Sequence, residues 1–162
     1  MATNSSDDGH RAVRPVATRA ELEPVYRSAE YDVETESETR ILRIGAPAPE
    51  ITSWMKAHGL RRIVLFTACN PGSRPATARD NEQRQRRLEQ AVDNHGLRAW
   101  PACNRDPLGH WPDEPGLAIA DLSDSVLVEW LEHFDQNAAV LLDPPAVPRL
   151  VWHPALSRRE SA

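Results

Sequence analysis

The longest strand-like apolar run is "RRIVLFTA", residues 61–68, and it ends abruptly in Asn70, Pro71, Gly72 and Ser73. A continuous apolar segment of this length predicts a central strand covered on both faces. Beyond the break, residues 76–95 carry Leu88, Ala91, Val92 and His95 on one face of a helix. Thr77 and Asp80 resemble a capping box at its start, and Gly96 suits its end. Stepping back along the same face reaches Arg84 or Gln85 and then Asn81. The face is apolar in its second half and polar in its first. Either that first half lies over something polar or it overhangs into solvent.

The same patterning supplies the other elements. "RAELEPVYRSAEY" predicts a short helix with Leu22, Val25 and Tyr26 on one face, and "YDVETESETRILRIG" two strands around a polar turn. "APAPEITSWMKAHG" predicts a helix with Pro49 in its first turn and Gly59 at its stop. "LRAWPAC" is extended, with Pro101 demoting part of it to an edge. "NRDPLGHWPDEPG" is a long loop, "LAIADL" a strand, and "SDSVLVEWLEHF" a helix capped by Ser123. "AAVLL", the turn "DPPAVP" and "RLVWH" form a closing hairpin. Strands and helices alternate through the middle, with hairpins at both ends. The expected fold is a single α/β domain, with α+β as the alternative, on a mixed central sheet flanked by helices.

Residues 1–18 are small, polar and charged without periodicity and read as a disordered leader; residues 155–162 read as a disordered tail. The folded domain is then 19–154. The 162 residues suit one domain large enough to bury a core without disulfides or metals. Net charge is −5 and the isoelectric point about 5.7, which argues against nucleic acid or an anionic membrane as partner. No segment reads as a signal peptide or a bilayer span, and there are two cysteines, Cys69 and Cys103. The expected compartment is a reducing cytoplasm. Cys69, Cys103, His110 and His153 lack ligand-like spacing, so neither metal nor cofactor is expected.

Four segments carry candidate chemistry. In the break after the central strand, Gly72 permits close backbone approach and Pro71 stiffens the exit. A loop feeding a helix N-terminus offers backbone N–H groups to an anion, with Arg74 and Arg79 adding charge. It lacks the spacing and lysine of a P-loop, and an ordinary polar turn before a capped helix has the same pattern. The long loop holds Asp106, His110, Trp111, Asp113 and Glu114. Trp111 would stack on a planar ligand or plug the core edge, and Glu114 would be a general base or a solvated charge. Gln136 and Asn137 in "FDQNAAV" would cap a helix end or read a base or carbonyl.

Together these segments, "TACNPGS", Asn81 with "RRL" behind it, "GHWPDEP" and "FDQNAAV", resemble a bacterial family of unknown function, DUF3293. The resemblance covers roughly residues 31–151 and implies that Asn70, Pro71, Ser73, Asn81, Trp111, Glu114, Gln136 and Asn137 are the family's recurring polar and special positions. It implies no activity. Cys69 falls at the variable position of the first motif, which argues against a catalytic cysteine.

The resulting expectation is a polar pocket at the C-terminal end of the central strand, walled by the three loops. Its ligand would be a small anionic or nucleotide-like molecule, bound by Asn70, Ser73, Arg74, Asn81, Trp111, Gln136 and Asn137. Glu114 would be the candidate catalytic acid/base of a metal-independent hydrolase or transferase. The alternative is a non-enzymatic accessory or interaction protein whose amides are structural, and no protein partner is specified. A third reading notes that "NPG" and "HPALS" (His153, Pro154, Ser157) resemble the two signature segments of uracil-DNA glycosylases, which implies a parallel sheet and a base-binding pocket.

Overall fold

The computed structural model describes residues 17–157. The elements run α1 (Arg19–Ser28), β1 (Glu30–Glu34), β2 (Thr39–Leu42), α2 (Pro49–Ala57), β3 (Ile63–Phe66), a 3-10 turn (Pro71–Ser73), α3 (Ala78–Asn94), β4 (Ala99–Arg105), β5 (Glu114–Ala120), α4 (Asp124–His133), β6 (Ala138–Leu142), β7 (Arg149–Trp152) and α5 (Pro154–Ser157). The expected leader lies outside the described residues except for its last two, and Thr18 forms a capping box with Glu21 on α1. Of the expected tail, Ala155, Leu156 and Ser157 are helical, in α5; residues 158–162 lie outside the described part.

The seven strands form one sheet in the order β2-β1-β4-β5-β3-β6-β7. Every neighbouring pair is antiparallel. Of the two classes expected, the sheet therefore takes the α+β form. The parallel sheet that a glycosylase resemblance implies is not what this chain builds. The reason lies in the crossovers. Helix α3 joins β3 to β4, which point the same way but have β5 between them. Helix α4 likewise joins β5 to β6, with β3 between them. A strand inserted into each crossover makes every hydrogen-bonded neighbour antiparallel.

Strand β3 is buried at all four positions. Ile63 and Leu65 face a core completed by Ile51, Trp54 and Met55 of α2. Val64 and Phe66 face a second core with Leu88 and Val92 of α3 and Leu127, Trp130 and Leu131 of α4. The unbroken apolar run thus follows from cover on both faces, not from parallel pairing. Proline 101 does not put β4 at an edge, because β4 pairs with both β1 and β5. The β1 ladder stops at Ala102, so Pro101 sits where only β5 is paired to it. The loop after β4 is shorter than expected: Glu114, Pro115 and Gly116 belong to β5, opposite Asn104, Cys103 and Ala102. What remains, residues 106–113, is the loop of a β4–β5 hairpin.

Candidate functional site

The end of β3, the start of β5, the end of β4 and the start of β1 all lie at one end of the sheet. There the chain makes an unusual turn. Asn70, Gly72 and Ser73 have φ of 47°, 63° and 60°, and Asp135, on the junction facing them, has φ of 50°. Left-handed backbone at non-glycine residues costs free energy and is kept only where surroundings hold it. The surroundings here are specific. The Gly72 N–H donates to the Asp135 carbonyl at 2.6 Å, the Ser73 N–H to the Asn70 carbonyl at 2.9 Å, and the Arg74 N–H to the Pro71 carbonyl at 3.2 Å.

Asn70 is the hub. Its N–H donates to Asn81 Oδ1 at 2.9 Å, and its Oδ1 accepts from Asn81 Nδ2 and the Ala76 N–H, both at 3.0 Å. Its Nδ2 donates to Glu114 Oε2 at 3.0 Å. The polar first half of α3 therefore does lie over something polar. Gln136 Nε2 donates to the carbonyls of Cys69 and Phe134 at 3.1 and 3.2 Å, and Asn137 Nδ2 donates to Ser73 Oγ at 2.8 Å. Asn70, Gln136 and Asn137 are buried. Opposite them, Thr67 Oγ1 donates to the Pro115 carbonyl at 2.8 Å, locking the end of β3 to the start of β5.

Beside this scaffold opens a cavity of about 240 Å³, between α1, the start of β1, the β4–β5 hairpin and the turn. Ser73, Trp111 and Glu114 line it, with Asn104, Arg105 and Asp106 from the hairpin and Leu22, Val25, Tyr26, Ala29 and Tyr31 on the far wall. Of the residues expected to contact a ligand, these three reach the cavity. Asn70, Gln136 and Asn137 stand behind it and hold Ser73 and Glu114 in place. Asn81 opens instead onto a separate groove along α3, with Cys69, Gln85 and Arg86. Arg74 is exposed and lines neither space. The N–H groups of Gly72, Ser73, Arg74 and Ala76 are committed within the chain, so these four are not available to an anion.

The α1 and β1 side of the cavity was not readable as site. Leu22, Val25 and Tyr26 have ordinary helix spacing, and Tyr31 sits in a strand with a common burial pattern. The Tyr31 hydroxyl donates to the Tyr26 carbonyl at 2.7 Å and ties α1 to the sheet. Asp106 organises the hairpin loop by accepting the N–H groups of Leu108, His110 and Trp111 at 2.9, 2.9 and 3.1 Å. Those bonds, that of Leu108 foremost, hold its carboxyl below the usual range. The Cys69 thiol is pushed up by burial, which keeps it protonated and a poor nucleophile. Among the described residues no group of three or more His, Cys, Asp or Glu is placed to hold a metal ion, and no helix is long and apolar enough to cross a membrane.

Among the described residues, Glu114 is the one largely buried carboxyl on the cavity wall. Burial raises its pKa from the ordinary 4.5, against the opposing effect of hydrogen bonds from Asn70 and the Trp111 side chain. A carboxyl whose pKa is higher in the folded than in the unfolded chain favours folding while it is protonated. Its stabilising contribution is therefore present in acid and is lost as pH rises from about 4.5 through the raised value. The Glu114→Gln variant should lack this loss. Relative to the wild type, its melting temperature is expected to climb between about pH 4 and 8. A difference that stays flat with pH would show that Glu114 is not shifted.

Fold and site thus define an antiparallel α+β domain with a small cavity that has a largely buried carboxyl on its wall. The model of the DUF3293 family, described as a protein of unknown function, matches residues 66–139. That stretch holds the first three motifs whole, the fourth up to Ala139, and the scaffold of amides, so the family resemblance read from the motifs is borne out, over a shorter span than 31–151. The matched stretch supplies Ser73, Asn104, Arg105, Asp106, Trp111 and Glu114; the α1 and β1 wall lies outside it. No curated protein and no solved structure matches the chain.

Proposed function

We propose that the chain is a small-molecule-binding domain whose ligand sits in the cavity between α1 and the end of the sheet. The observation that carries this reading is Glu114, a largely buried carboxyl on the wall of a cavity, positioned by Asn70 at the head of a turn in which three of four residues, Asn70, Gly72 and Ser73, are left-handed. Backbone strain and a perturbed carboxyl in one concave place are the usual marks of a working site. At about 240 Å³ the cavity is smaller than the ~300–1,000 Å³ common for drug-sized ligands, so it suits a single ring or short chain better than a whole nucleotide. Trp111, Tyr26 and Tyr31 make part of the lining aromatic. If the ligand reacts, Glu114 is the group that moves a proton. Hydrolysis or group transfer with Glu114 as acid/base and Ser73 as a hydrogen-bonding hydroxyl is the chemistry these two groups support.

A second reading, an accessory or interaction protein without catalysis, is favoured by the amides. Asn70, Asn81, Gln136 and Asn137 all spend hydrogen bonds on the chain itself. Thermal shift of the wild type and Glu114→Gln against nucleobases, nucleosides, sugar phosphates, amino-acid derivatives and amines separates the two. A ligand at a hundred times its dissociation constant adds about 2.7 kcal/mol, well within reach of a melt. A class that shifts the wild type and not the variant supports the cavity. If no class shifts the wild type, the second reading stands instead.

A further inference from the structure

We infer that the ligand of this cavity presents a protonated amine to the Glu114 carboxylate; the inference rests on reading the cavity as a ligand site and names the ligand's charge. Among the described residues Glu114 makes no ion pair: its partners are the neutral side chains of Asn70 and Trp111. A largely buried carboxylate that lacks a cation is costly unless something supplies one. None of the described residues supplies it. Arg105 is the one cation on the cavity wall, and its Nε donates to Asp32 Oδ2 at 2.5 Å and its Nη1 to Asp113 Oδ2 at 3.1 Å. Two carboxylates thus already neutralise it.

The rest of the lining points the same way. Asp106 adds a second carboxylate to the wall, held ionised by three backbone N–H groups. Trp111, Tyr26 and Tyr31 put aromatic side chains on the wall, and aromatic rings attract cations. The turn keeps its own N–H groups occupied, so on this side an anion would find only the Ser73 hydroxyl. A negatively charged, aromatic-walled space closed on one side by Leu22, Val25 and Ala29 selects a small amine with an apolar body, and rejects phosphates and carboxylates.

The test uses three molecules of one shape and different charge: benzylamine, benzyl alcohol and benzoate, titrated calorimetrically into the full chain at neutral pH. Benzylamine is expected to bind at least about tenfold tighter than benzyl alcohol, with benzoate weaker still. Glu114→Gln should lose that preference. Val25→Trp, at an exposed position of α1 on the cavity wall, should block all three while leaving Glu114 untouched, and covers the case in which the Glu114 variant fails to fold. Equal or tighter binding of the alcohol or of benzoate would overturn the amine while leaving the cavity a ligand site. So would silence from all three when some other class in the thermal panel shifts the wild type. Silence across that whole panel would remove the ligand site itself.

Discussion

Replacing Asn70 with alanine is expected to lower the free energy of unfolding by about 3–4 kcal/mol, a large share of what a domain this size possesses. The side chain makes three hydrogen bonds, to Glu114, Asn81 and the Ala76 N–H. Each is worth about 1 kcal/mol, and more where a buried partner is left unpaired. Alanine also tolerates φ of 47° less well than asparagine, at about 1 kcal/mol. Asn70→Gly separates the two contributions, since glycine removes the bonds but not the backbone fit. Urea denaturation should rank wild type above Asn70→Gly, and Asn70→Gly above Asn70→Ala. A loss under about 1 kcal/mol for alanine would mean that the network is not what holds the turn.

Gly116→Ala is expected to be of similar size, about 3 kcal/mol, for a different reason. A Cβ at this position would stand 2.3 Å from the Phe66 carbonyl oxygen, 3.0 Å from its carbon and 3.2 Å from Thr67 Cα. These are backbone atoms of the last residue of β3 and the one after it, and β3 is an interior strand gripped by β5 on one side and β6 on the other. They cannot turn aside as a flexible side chain would, so β3 and β5 must part. The separation would also carry the Thr67–Pro115 bond and displace Glu114 two residues away. Denaturation together with amide exchange on β3 and β5 would check it. A stable variant with unchanged protection would show that the close approach is dispensable. No pattern marks this glycine, because the residue it excludes belongs to another strand.

Local chemistry explains what could be read in the chain. Helices α2, α3 and α4 announced themselves through apolar spacing and caps: Ser123 accepts from the Val126 N–H and Thr77 from the Asp80 N–H, as their positions imply. The two-sided burial of β3 followed from its unbroken apolar run. Strand direction did not, because a helix between two strands looks the same whether or not a third strand is inserted between them. The polar face of α3 showed that something polar lay beneath it, but not that this was Asn70.

The site divides in the same way. Asn70, Asn81, Gln136 and Asn137 were recognisable as special because four short motifs carry them, yet residue type cannot say which way an amide points. An amide that reads a ligand and one that braces a turn have identical donors and acceptors. Only tertiary packing turned these inward and left Ser73, Trp111 and Glu114 facing the cavity. Glu114 shows the limit most plainly: the chain places a carboxyl between two prolines, and folding alone moves it from an expected loop into a strand, largely buries it beside Asn70, and leaves it with no cation partner among the described residues.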